Sequence, residues 1–394
     1  MIPRRLKLLL ATLALLVCIA AWRVATRPPV GPGADRYRDA LAARDRGESQ
    51  SAIARLQEAI VAEPDQADYH ADLGDLYLEA RAYDAAVAEF QTAAFLASQP
   101  ASAYARLAQC LVELRRRDEV FPLVELALKE NPKLALAYAV RGEQRLRDDN
   151  LKEALEDFRK TMELEPDFAL AYQKAGFILF QTQQYDEALK VLELGLPKNP
   201  MDPGTHLLLG QTLLQLGGDA RQEARAEQHL RAALMNNPEA HRVHAALGQL
   251  YLRQGLLPPA RSEFEAALRT SPRLREARYG LAQVAQREGK PKEAARHQAY
   301  VAEAQAQQRE LNELLAQVMA RPEQVAVGLR LARRCLDVGA LEDAERALSR
   351  IVLAQPDLRA ARELRVELFE AQQDRARADR ESQIAESLPR ATGL

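Results

Sequence analysis

Asp68, Asp72, Asp75 and Glu79 follow one another at intervals of four, three and four in the stretch ADYHADLGDLYLE. On a helix that spacing stacks four carboxylates along one stripe. Asp68 and Asp72 can favour the positive start of such a helix, but Asp75 and Glu79 lie toward its other end and repel their neighbours. Two uses are open: a docking stripe for a basic segment of a partner, or a ladder paired with Arg38, Arg44 and Arg106 of neighbouring helices. Other chemistry is sparse. His241 and His244, three apart, would need a further metal ligand that the surrounding sequence does not offer. Arg115, Arg116 and Arg117 read as a solvated turn, since no aromatics interleave with them to stack bases. There is no phosphate-binding glycine loop, HExxH, GxSxG or calcium-loop pattern, so no reaction, metal or cofactor is assigned.

The elements that position these residues repeat. Pro64, Pro100, Pro132, Pro166, Pro200, Pro238 and Pro272 are separated by 36, 32, 34, 34, 38 and 34 residues. Around this ruler run two columns of small residues, Ala40, Gly74, Ala108, Gly142, Gly176, Gly210, Gly248 and Ala282, then Ala52, Ala86, Val120, Ala154, Ala188, Ala226, Ala260 and Ala294. Small residues twelve apart mark the crossing of two helices, because larger side chains would force the axes beyond ordinary packing distance. A third column, Ala59, Ala93, Ala127, Thr161, Gly195, Ala233 and Ala267, is expected to admit the next pair. Leu73, Leu107, Leu209 and Leu247, with Phe90, Phe158, Leu192, Leu230 and Phe264, fill the space between. Each proline lacks the donor needed to prolong its helix.

This pattern resembles the tetratricopeptide repeat, with small residues at positions 8, 20 and 27, large ones at 4, 7, 11 and 24, and proline at 32. The resemblance implies an all-α fold, an α-solenoid of tandem helix-turn-helix hairpins wound as a right-handed superhelix. Eight units are expected over 33–302, at about 33–66, 67–100, 101–134, 135–168, 169–202, 203–240, 241–274 and 275–302. GGDARQEAR lengthens the turn of the sixth by four residues. Residues 303–321 continue a long helix, 322–358 form a degenerate ninth unit, 359–385 a capping helix and 386–394 a disordered tail. His70, His206 and His244 fall at position 4, where the repeat takes a large apolar or aromatic side chain.

The resemblance also implies a groove lined by the first helix of each unit. Positions facing it hold Asp68, Asp72, Asp75, Glu79, Gln109, Glu113, Glu143, Arg147, Phe177, Gln181, Gln211, Gln215, Gln249, Arg253, Gln283 and Arg287. Its sign changes from acidic to amide-rich and basic, and the glutamines are either a solvated helix face or a surface suited to the backbone of an extended peptide. The family's carboxylate clamp needs Lys and Asn at positions 5 and 9 of neighbouring units, which are absent. A net charge of -2, from 54 basic and 56 acidic residues, gives no field to collect nucleic acid. Cys18, Cys110 and Cys335 are too scattered for zinc or redox exchange.

Ahead of the repeats, Arg4, Arg5 and Lys7 precede an apolar run from Leu8 to Trp22, and 29–32 form a linker. Residues 1–28 read as a signal anchor or a cleavable signal peptide; Trp22 and Arg23 favour an uncleaved interfacial anchor. The sequence therefore leads to the expectation of a single-pass bacterial inner-membrane protein with periplasmic repeats, or a secreted or periplasmic one after cleavage. Its expected role is a non-enzymatic scaffold for a protein or extended peptide. The alternatives are a recognition subunit of a separate envelope or glycosyltransferase complex, or a chaperone-like assembly factor for exported proteins.

Overall fold

The computed structural model describes residues 33–236, 240–321 and 323–389. The chain divides into two compact units, Met1–Pro238 and Glu239–Leu394. Among the described residues both are built of α-helices, with one short 3-10 turn, and no strand occurs. The fold is an all-α solenoid of tandem antiparallel helix pairs.

In the first unit α1 (Ala34–Asp45) pairs with α2 (Ser49–Ala62), α3 (Ala67–Glu79) with α4 (Tyr83–Leu96), and α5 (Ala101–Glu113) with α6 (Arg117–Glu130). Then α7 (Ala135–Arg147) pairs with α8 (Leu151–Leu164), α9 (Ala169–Gln181) with α10 (Tyr185–Gly195), and α11 (Pro203–Leu216) with α12 (Ala220–Asn236). In the second unit the pairs are α13 (His241–Arg253) with α14 (Leu257–Thr270), and α15 (Arg275–Arg287) with the long α16 (Pro291–Ala320). They are followed by α17 (Val325–Val338) with α18 (Leu341–Ala354), and α19 (Arg359–Ala371) with α20 (Arg375–Ser387).

The small columns are steric. A Cβ on Gly74 would lie 2.8 Å from the Phe90 ring, one on Gly176 2.4 Å from Leu192, and one on Gly210 2.6 Å from Leu230. Each glycine is the floor under the bulky side chain of its partner helix. Phe264 is held from two sides, because a Cβ on Gly248 would come within 2.7 Å of its ring and one on Gly280, in the next pair, within 2.2 Å. The ring is 1% exposed, so it cannot retreat from one glycine without striking the other. Third-column Gly195 abuts Tyr172 of its own pair rather than only admitting the next.

The turns within the pairs share one backbone device. Gly47, Arg81, Arg115, Asp149, Gln183, Gly255, Gly289, Gly339 and Gln373 all take left-handed angles with φ between 58° and 79°. Each lies at the same register position, and the following residue closes a Schellman motif by donating to a carbonyl five residues back, as Glu48 does to Ala43 and Ala82 to Tyr77. Four side chains bear the cost of that conformation in the first unit and one in the second.

Two departures from the sequence expectation have local causes. The extra residues of the sixth pair do not lengthen its turn, which spans three residues like those of α3–α4; they enter α12, 17 residues long against 14 for α8. Asp219 Oδ1 accepts from the amides of Arg221 and Gln222 and starts the helix there. The single capping helix expected over 359–385 is a further pair, α19 and α20, closed by left-handed Gln373 and capped by Asp374 on the Arg377 amide. Ala378 and Ala385 are buried at its crossing.

The expected single-pass inner-membrane placement is overturned. Among the described residues no helix is both long and apolar enough to cross a membrane. α16 has the length, but Arg, Glu and Gln recur along it. Residues 1–28, which carry the anchor or signal-peptide reading, lie outside the described residues, as do 390–394 of the expected tail.

Candidate functional site

Within each unit the leading helices of successive pairs touch directly: α3 and α5, α5 and α7, α9 and α11 in the first, α13 and α15, α17 and α19 in the second. Inside each unit a trailing helix packs on the leading helix that follows it there. Direct contact between leading helices places them on the inner side of each stack, and their outward residues form the candidate binding face.

On α3 the acidic stripe is largely engaged. Asp72 accepts a 2.6 Å hydrogen bond from the Tyr37 hydroxyl and lies 3.5 Å from Arg44 Nη1. Arg44 Nη2 donates to Glu79 at 2.9 Å. Arg106 Nε stands 3.2 Å from Asp75 Oδ1, near enough to pair but poorly aligned, so that buried oxygen accepts no hydrogen bond. Asp68 is exposed. Arg38 turns instead to Asp35 on its own helix. Burial raises both the Asp72 and Asp75 carboxyls above the usual range; the Tyr37 bond and Arg44 oppose this at Asp72, and Arg106 and Arg44 oppose it at Asp75. Burial and the bond to Asp72 push the Tyr37 hydroxyl upward in turn.

The next section is a charge network between helices. Arg147 on α7 donates to Glu113 on α5 at 2.7 Å and lies 3.4 Å from Glu143, which receives Lys174 of α9 at 2.8 Å. Gln109 faces Arg106 at 3.5 Å. Pairs this exposed contribute at most about 1 kcal/mol each, but together they fix the leading helices side by side.

Farther along, the groove positions carry fewer charges. Phe177 is half-buried against Leu192, Leu208 and Leu209, while Leu170, about two turns earlier on the same helix, is 48% exposed. Gln181 and Gln215 are exposed, and Gln211 has a carbonyl oxygen shut from solvent with no donor. In the second unit Gln249 and Arg253 are exposed and Gln283 is half-buried. Arg287 is tied down, its Nη1 donating to the Leu252 carbonyl at 2.6 Å.

Sequence reasoning named Arg44 and Arg106 but missed Tyr37 and Lys174. It also missed a second device. Position 4 repeatedly holds a donor to the carbonyl of the proline six residues earlier: His70 to Pro64 at 2.9 Å, Tyr138 to Pro132 at 3.2 Å, His206 to Pro200 at 3.0 Å and Arg278 to Pro272 at 3.1 Å. The signal was present, because His, Tyr and Arg share a donor and not a hydrophobic shape. The other ring nitrogen reaches the trailing helix. His70 Nδ1 meets Glu89 at 2.6 Å, His244 meets Glu263 at 2.7 Å, and His206 meets His229 at 3.1 Å. Burial, His206 and Arg225 together hold His229 below the ordinary histidine value. Among the described residues no group of three or more metal-ligating side chains is assembled.

Stacked helix pairs with a lined inner face define a helical repeat solenoid. Residues 145–212 match a tetratricopeptide repeat family model, and 37–105 and 207–273 match a second of the same description. The chain therefore carries tetratricopeptide repeats. Hsp70-Hsp90 organizing protein 3 of Arabidopsis thaliana is 30% identical over 121 residues, 30% of this chain and 21% of that protein. The Hsp70-Hsp90 organizing protein of Triticum aestivum is 28% identical over 121 residues, 30% of this chain and 20% of its own length. The chain thus spans about a fifth of the length of these curated relatives. Among solved structures, YrrB, described as a TPR protein with an unusual peptide-binding site, is 23% identical with a TM-score of 0.39, covering 46% of this chain and 92% of that one. PilF of Pseudomonas aeruginosa is 19% identical with a TM-score of 0.44, covering 52% and 96%.

Proposed function

We propose that the chain is a protein-interaction scaffold whose inner face holds an extended segment of a protein partner, chiefly through Phe177, Gln181, Gln211 and Gln215. The observation that carries this reading is Gln211, whose carbonyl oxygen is closed to solvent yet has no donor. A buried acceptor left unpaired costs roughly 1–3 kcal/mol, which is recovered when the half-buried Gln211 side chain turns its oxygen toward a partner's backbone amide. Phe177 and Leu170 of α9 offer apolar contact, and the glutamines bind backbone with little regard to side chain.

The Hsp70–Hsp90 organizing named for the relatives is not carried over. Positions 5 and 9 read Ala71 and Asp75, Ala105 and Gln109, Ala139 and Glu143, Gln173 and Phe177, with no lysine–asparagine pair. The test is a photoreactive residue at Gln211, with Gln91 on α4 as the outer control, in cells of the native host. A discrete protein adduct at Gln211 alone supports the scaffold. A smear of many clients supports a chaperone-like factor, and equal labelling at both positions removes the inner face from consideration.

A further inference from the structure

The second unit has an apolar trough that the inner-face reading does not use. The carboxyl-terminal half of α16 forms one wall, α18 the other and α17 the floor, around a cavity of about 400 Å³. Leu311, Leu315, Val318 and Met319 line the α16 wall at helical spacing. Leu315 is 48% and Met319 74% exposed. The floor is made low by Gly328, which stands against Ile351.

The origin of the trough lies in the length of α16. The trailing helices α2, α4, α6, α8, α10, α14 and α18 end after three to four turns, and each packs on the leading helix of the next pair. α16 runs on for 30 residues, and in its far half Leu314 is buried in the cluster of α17 to α19 while Leu315 and Met319 of the same apolar stripe stay exposed. What would cover such a stripe is another helix. A helix satisfies its backbone internally, whereas an extended segment would bury amides and carbonyls in a trough with few polar groups to receive them. At the rim Gln308 donates to Asn312.

Charge selects among helices. Of the ionic groups on the rim, Arg346 is engaged by Asp343, while Arg350 is exposed and enters no ion pair or hydrogen bond among the described residues. The unspent charge is therefore positive. We propose that this trough docks an amphipathic helix of a partner protein, its apolar face on Leu315 and Met319 and an acidic side chain on Arg350. From Gln308 to Met319 the wall is about 16 Å long at 1.5 Å per residue, matching three turns of the incoming helix.

The test uses the full chain and a fluorescein-labelled 16-residue helical peptide with leucines along one face and glutamates flanking them, beside a version with lysines in place of the glutamates. Fluorescence anisotropy should show saturable binding of the acidic peptide and at least tenfold weaker binding of the basic one. Met319→Glu should weaken the acidic peptide at least tenfold, and Arg350→Glu should erase or invert the preference. Both side chains are exposed, and circular dichroism will verify that the fold is kept. Phe177→Ala should leave this binding unchanged, which separates it from the inner-face reading. Failure of the acidic peptide to saturate, or indifference to both trough variants, overturns the proposal. So does a wild-type dimer in sedimentation that Met319→Glu dissolves, because a second copy would then be the occupant.

Discussion

Along the inner face of the first unit, α3 to α7 and α9 to α11 use the same register positions in opposite ways. In the first stretch Asp72, Glu79, Glu113, Glu143 and Arg147 are joined to side chains of neighbouring helices. In the second, Gln181 and Gln215 are exposed, Phe177 is half-buried against Leu192, Leu208 and Leu209, and Gln211 keeps a buried carbonyl oxygen without a donor. The difference teaches that a charged residue at a groove position is not by itself a recognition group. Where opposite charges are a helix spacing apart, they bind each other before any partner arrives, and the uncharged stretch is left for the ligand.

The strongest way to break both stretches at once is through the steric frame they share. Gly74→Leu, against Phe90, and Gly176→Leu, against Leu192, should each destabilise by about 1–3 kcal/mol. Gly248→Leu should reach the upper part of that range, because Phe264 has Gly280 at its back. Denaturant unfolding of the three variants measures this, with hydrogen exchange placing the first losses in the altered pair and its neighbours.

Next in size is the effect on partner capture. Phe177→Ala with Gln211→Ala should reduce captured partner at least tenfold, equivalent to about 1.4 kcal/mol, with a lowered unfolding midpoint from the lost packing on Leu192, Leu208 and Leu209 but the helical fold kept at the capture temperature. Asp75→Asn with Glu79→Gln should leave capture unchanged and shift stability by under ~1 kcal/mol, since relief of a buried carboxylate offsets the lost pairing. A large loss of capture in the acidic variant alone would reverse the comparison and restore the stripe as the docking site.

Acid sharpens the same contrast through position 4. His70 faces the carboxylate of Glu89, but His206 faces a second imidazole, His229. Because the folded His229 value lies below the ordinary one, the unfolded chain binds protons more readily there. That stabilisation is present at neutral pH, begins to be lost as pH falls through the unfolded value of about 6.5, and is fully lost below the folded value. Hydrogen exchange should therefore show α11 and α12 loosening on mild acidification before α3 and α4. His229→Glu, which recreates the partner that His70 and His244 have, should abolish the difference; equal acid response of both pairs in the wild type would contradict it.

The smallest effect lies in the turns. Replacing left-handed Arg81, Asp149 or Gln183 by glycine should stabilise by roughly 0.5–1 kcal/mol each, the steric relief exceeding the added freedom of the unfolded chain. Gly255→Arg should cost a similar amount, read as a shift of the unfolding midpoint.

Several of these features were legible in the residues themselves. The proline ruler and the small columns specified helix pairs because steric exclusion at a crossing depends on residue size alone, and Gly74, Gly176 and Gly248 announce it wherever they recur. The acidic stripe on α3 was also visible, since helical spacing follows from the backbone. Gln373 was not legible as a turn, because a left-handed glutamine looks like any helical glutamine, and the final pair was read as one helix. Gly280 gave no sign of its role, as it stands outside the small columns and matters only because Phe264 of the preceding pair leans on it.

The sequence by itself determined the repeat, the helices and the chemical groups on each face, since these depend on periods and sizes within about 34 residues. Only the tertiary structure decided which groups are spent: Tyr37 on Asp72, Arg147 on Glu113 and Lys174 on Glu143 meet across pairs, at distances no local pattern sets. The same holds for what is left over, Gln211 without a donor and Arg350 without a counter-charge, because pairing is a property of neighbours in space and not of residues in order.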